Sequence, residues 1–68
     1  MICKITIRMD NAAFRDSDGK ATDDAWEAEL GRILRVLGKE VKDFGVPAWR
    51  GIADANGNQV GELVIEED

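Results

Sequence analysis

TDDAWEAELGRILRVLGKEVKDFG, running from Thr22 to Gly45, is the stretch whose reading decides the fold. Within it Trp26, Leu30, Ile33, Leu34, Leu37, Val41 and Phe44 recur at i, i+4, i+7, i+8, i+11, i+15 and i+18. That is one apolar stripe at 3.6 residues per turn, and it predicts an amphipathic helix over residues 23–44. Its ends are marked as well. Thr22 is an N-cap, Asp23 and Asp24 place anions in the first turn, and Lys39 and Lys42 place cations near the end, each matching the helix dipole. Gly45 supplies the left-handed residue that stops the helix, and Pro47 follows. The remaining chain has to cover the stripe.

Upstream, residues 2–9 alternate. Cys3, Ile5, Ile7 and Met9 share one face, and Lys4, Thr6 and Arg8 the other, as in a half-buried strand. Cys3 then reads as a small core hydrophobe and not as a nucleophile. Residues 10–21 form a polar connection, within which Ala12, Ala13 and Phe14 suit a short turn that tucks Phe14 against the helix or sheet edge. Downstream, a strand over about 48–54 and another over about 59–66 flank Asn56-Gly57, the pair favoured in a type I′ hairpin because both central residues need positive φ. With that two-residue turn Ala55 faces Asn58, Ile52 faces Gly61 and Trp49 faces Val64. Ile52, Leu63 and Ile65 then share one face, while Trp49, Val60 and Val64 share the other. The expectation is an α+β fold of βαββ order over a single domain, residues 1–68, with a three-stranded antiparallel sheet and one helix on one face.

One helix covers one face only. Trp49, Val60 and Val64 would therefore form an outer apolar patch suited to self-association, and a homodimer would help a domain of 68 residues, in which only about 60% of the unfolded surface can be buried. Cys3 is the sole cysteine and histidine is absent, so neither an internal disulfide nor a common zinc site can be built. A calcium loop fails on spacing: with Gly19 at the sixth loop position, Phe14 and Ala25 occupy positions that must ligate. No metal or cofactor is expected. Nor is an enzyme, because histidine and tyrosine are missing, Ser17 has no nearby base, no glycine pattern cradles phosphate, and Asp23 and Asp24 are adjacent and splay apart on a helix. No apolar run or signal segment marks export or membrane insertion, which points to the cytoplasm.

Two further features are surface properties. The helix side opposite the stripe carries Arg32, Arg35, Lys39 and Lys42, a cationic ridge that is either simply solvated or an anion-binding face. Gly31 and Gly38 lie seven residues apart on the stripe's flank, each costing the helix up to about 1 kcal/mol relative to alanine. They predict a close approach there by another segment of the chain or by a partner. Net charge is −5, which disfavours direct nucleic-acid binding and favours a basic partner, although acidity of this size is also what keeps ordinary small domains in solution.

Asp10-Asn11-Ala12-Ala13-Phe14, the helical Arg32-Ile33-Leu34-Arg35, and Asp54-Ala55-Asn56-Gly57-Asn58-Gln59-Val60-Gly61-Glu62 together resemble a group of small bacteriophage and prophage accessory proteins. The resemblance spans nearly the whole chain and implies an accessory role in a bacterial host, such as that of anti-CRISPR-type anti-defence proteins. No catalytic residue carries over. The expected function is a non-catalytic acidic inhibitor that binds a host protein complex with a basic surface as a DNA mimic would, through Asp10, Asp16, Asp18, Asp23, Asp24, Glu27, Glu62, Glu66 and Glu67. The alternative is a small dimeric assembly or regulatory module that binds a protein partner through its apolar sheet face.

Overall fold

The computed structural model describes residues 1–15 and 23–67, without the side chains of Asp23 and Asp24. Strand β1 (Ile2–Ile7), a 3₁₀ turn (Ala12–Phe14), helix α1 (Asp23–Phe44), β2 (Trp49–Ala53) and β3 (Gln59–Glu66) follow in βαββ order. The sheet is antiparallel throughout, with β3 in the middle of the order β1-β3-β2. Thr22, the expected N-cap, lies outside the described residues. At the other end of α1, Gly45 adopts φ +78° and donates its N–H to the Val41 carbonyl at 3.1 Å, which closes the helix.

Ile52 pairs with Gly61 and Trp49 with Val64, as the alternation predicts. The turn between them is different. Asp54 N–H donates to the Asn58 carbonyl at 2.9 Å and Gly57 N–H to the Asp54 carbonyl at 3.1 Å. Ala55 and Asn56 thus form the centre of an ordinary turn, and Gly57, at φ +86°, is the only loop residue with positive φ. The chain avoids the left-handed conformation at Asn56 that a type I′ turn requires, and a three-residue loop ending in a left-handed glycine takes its place. This loop brings Ala53 opposite Gln59, one residue out of step with Ile52 and Gly61, and a β-bulge between Ile52 and Ala53 takes up the difference. Val60 is the extra residue. Turned inward by the bulge, it is 3% exposed in the core, so it does not join Trp49 and Val64 on the outer face.

The core consists of Phe14, Ile33, Leu37, Ile52, Val60 and Leu63, with Ile7, Ala13, Trp26 and Ile65 packed at its margin. Each fully buried large side chain contributes about 1.5–3 kcal/mol. The 3₁₀ turn packs on α1 and delivers Phe14 into the centre. Coverage of both apolar stripes is partial. Cys3, Ile5 and Met9 are exposed, because β1 is an edge strand and α1 is anchored toward β2, where Arg50 pairs with Glu40 through Nε–Oε2 at 2.6 Å and Nη2–Oε1 at 2.7 Å. On α1, Ile33 and Leu37 are buried, whereas Leu34, Val41 and Phe44 are exposed. Leu34 and Val41 stand on the flank of the stripe, whereas for Phe44 the reason is length: α1 has 22 residues, about 33 Å at 1.5 Å each, while the five residues of β2 reach about 17 Å. The helix runs past its cover, and the molecule measures 43 × 22 × 19 Å.

Candidate interaction surfaces

Three segments that look unrelated in sequence meet at the β2–β3 loop. The Asp54 carboxylate, 5% exposed, accepts the N–H groups of Asn56 and Asn58 on Oδ1 at 2.9 Å each, and the Asn11 side-chain amide on Oδ2 at 2.7 Å. From the helix side, Glu29, 6% exposed, receives Arg32 through Nε–Oε1 at 2.6 Å and Nη2–Oε2 at 3.1 Å, and its Oε2 also accepts the Ala55 N–H at 2.7 Å. The Asn11, Arg32 and Asp54 segments are therefore joined by architecture. Sequence reasoning passed over Glu29, although its i,i+3 spacing to Arg32 was a signal.

Hydrogen bonding from Arg32 holds the Glu29 carboxyl below its ordinary range, against burial, with help from the Ala55 N–H. Burial pushes the Asp54 carboxyl up, but the Asn58 N–H, the Asn11 amide and the Asn56 N–H together outweigh it and leave the group lowered. A lowered folded-state pKa stabilises above the unfolded value, and that stability is lost as pH falls through the folded one. Asp54→Ala is accordingly expected to melt well below the parent at neutral pH, with the gap narrowing on acidification below the ordinary carboxylate range. Thermal melts of both proteins across that range measure it; a gap independent of pH would assign the effect to something other than the charged carboxylate.

The nine acidic candidates do not gather on one element. Asp16 and Asp18, and the side chains of Asp23 and Asp24, lie outside the described residues. Glu62 and Glu66 sit on the outer sheet face, where β1 and the residue after it supply cations: Arg8 Nη1 lies 3.5 Å from Glu62 and Lys4 Nζ 3.1 Å from Glu66. Exposed pairs of this kind contribute about 0–1 kcal/mol, yet they do cancel the face's charge. Asp10, Glu27 and Glu67 are exposed and have no ion pair among the described residues.

The cationic ridge is divided as well. Arg32 is held by Glu29, and Lys39 lies 3.3 Å from Asp43, leaving Arg35 and Lys42 without an ion pair among the described residues. A cleft of about 230 Å³ between α1 and β2 has Arg32 and Arg50 in its walls, both already neutralised by carboxylates. On the outer face, Trp49 is exposed and its ring reaches over Gly51, while Val64 beside it is half-buried.

A further apolar surface lies at the C-terminal end of α1. Phe44 is 87% exposed there. A groove of about 590 Å³ lies between Phe44, Pro47 and the Glu40–Arg50 pair, and a second of about 390 Å³, between Met1, Ala48, Ile65 and Glu67, shares Val46 with it. Concave apolar surface with a polar rim is the usual form of a docking site. Among the described residues no group of histidine, cysteine or carboxylate side chains is placed to hold a metal, and no helix is long and apolar enough to cross a membrane. No family model matches this chain, and no curated protein or solved structure matches it either.

Proposed function

We propose that this chain is a non-catalytic protein-binding protein that engages its partner through the paired grooves around Val46. The observation that carries this reading is Phe44, 87% exposed at the end of α1 and lining a groove that meets a second groove at Val46. Aromatic side chains in such positions are the usual anchors of an interface. Glu67, on the rim of the second groove and without an ion pair among the described residues, suits a partner whose apolar prominence is flanked by a basic residue. In the setting implied by the likeness to phage accessory proteins, that partner is a host defence complex and binding inhibits it.

A second reading keeps the acidic surface as the recognition element. It is favoured by Asp10, Glu27 and Glu67 being exposed and unpaired among the described residues. One experiment separates the two: capture from bacterial lysate with the parent chain, with Phe44→Ala plus Val46→Asp, and with Asp10 and Glu27, both away from the grooves, each changed to lysine. The groove reading expects the first variant to lose the captured complex at unchanged melting temperature, while the lysine variant keeps it. The opposite pattern, with capture that falls steeply as salt rises, supports the acidic decoy instead.

A further inference from the structure

Helix α1 carries a second face that the sheet does not use. Leu34 and Val41 are 46% and 44% exposed, and beside them run Gly31 and Gly38. Around a Cβ built on Gly38 there is nothing within 4 Å, and around one on Gly31 only Arg35 Nη1 of the same helix, at 3.8 Å. Among the described residues no other segment crosses there, and none of them accounts for two unfavourable glycines in the helix.

We infer that α1 pairs antiparallel with α1 of a second copy of this chain, about a two-fold axis passing between Leu34 and Arg35. Two exposed apolar side chains on the helix need cover, and a two-fold operation makes one surface serve as its own partner. With the axis at that point, Gly31 of one copy stands opposite Gly38 of the other, where the missing side chains let the two backbones come close. Leu34 packs beside Leu34 of the second copy, and Val41 beside its half-buried Leu30. Arg35 stays in water at the rim.

Charge supports the same register independently. Glu27 and Lys42 are both exposed and without an ion pair among the described residues. With 3.6 residues per turn they share a sector of roughly 60° with Gly31 and Gly38. The axis chosen from the glycines sets Glu27 of each copy level with Lys42 of the other, giving two equivalent salt bridges. A parallel arrangement would instead bring like ends of the helix together, acidic start against acidic start. This surface is separate from the Phe44 grooves, so either proposal can fail without the other.

Sedimentation equilibrium over a wide concentration range tests the association, and cysteine crosslinking in a Cys3→Ser background tests the register. Leu34→Cys is expected to form a disulfide-linked dimer under mild oxidation, and Gln59→Cys, on the sheet, is not. Gly38→Trp should weaken association by about tenfold or more while leaving the circular dichroism spectrum helical. Glu27→Lys and Lys42→Glu should each weaken it, and the two together should restore it, a result that misfolding cannot produce. A monomer at every concentration, crosslinking at Gln59 in place of Leu34, or a charge-swapped double variant no better than the singles would overturn the inference.

Discussion

Phe14→Ala is expected to cost about 3–5 kcal/mol, the largest loss available from the core. Phe14 has no exposed surface at all, and it belongs to none of the strands and not to α1. It reaches the core from a three-residue 3₁₀ turn that is closed by Phe14 N–H to the Asn11 carbonyl and Arg15 N–H to the Ala12 carbonyl, both at 3.1 Å. Little backbone is available to collapse into the space its ring would leave. A domain of this size has a total stability of about 3–10 kcal/mol, so the loss consumes much of it. The melting temperature should fall by about 20 °C. Urea denaturation read by tryptophan fluorescence checks the free energy, and a loss below about 1 kcal/mol would mean that the ring is not a central packing element.

Gly61→Val is expected to detach β1. Gly61 sits in the middle strand opposite Ile7 on one side and Ile52 on the other. A side-chain carbon there would run into the Thr6 carbonyl oxygen, and would stand 2.8 Å from the carbonyl carbon and 3.0 Å from Ile7 Cα. All of these are backbone atoms, fixed by the β1–β3 pairing, so nothing flexible can give way. Overpacking normally costs about 1–3 kcal/mol, and a clash with backbone belongs at the upper end of that range. Amide exchange should show β1 losing protection while α1 and the β2–β3 hairpin keep theirs. Uniform protection in the variant would show that the strands can move apart at no great cost.

How far the fold can be read from sequence varies from element to element. The helix from Asp23 to Phe44 was legible because stripe, caps and stop residue agree, and β3 was legible as far as its ends. The pairing of Ile52 with Gly61 was legible for an incomplete reason. A two-residue turn and a three-residue turn followed by a bulge give the same register beyond the bulge, and only the side-chain direction of Val60 distinguishes them. That choice depends on Asp54 gathering three donors, one of them from Asn11, which lies 43 residues away. Periodicity also gives the direction of a side chain and not the extent of its cover. Ile5, Leu34, Val41 and Phe44 point as their spacing says and are nevertheless wet. The grooves at Val46 could not be read at all, because each joins residues that sequence keeps apart, Glu40 with Arg50 in one and Met1 with Ile65 in the other. Glu29 was missed for a related reason: a helical carboxylate looks solvated until the Ala55 N–H is known to lie over it.

The strand order has a consequence for how the chain acquires its shape during synthesis. Among the described residues β1 pairs with β3 alone, with Ile2 opposite Glu66, so this strand emerges from the ribosome long before its mate exists. β2 waits for the same late segment. Until Gln59–Glu66 has been translated none of the described strand pairs can form, and among the described elements nascent α1 has the Phe14 turn to lean on. Contacts this distant along the chain slow folding. Acquisition of structure is thus tied to a single late event, the arrival of one strand between two that are already waiting.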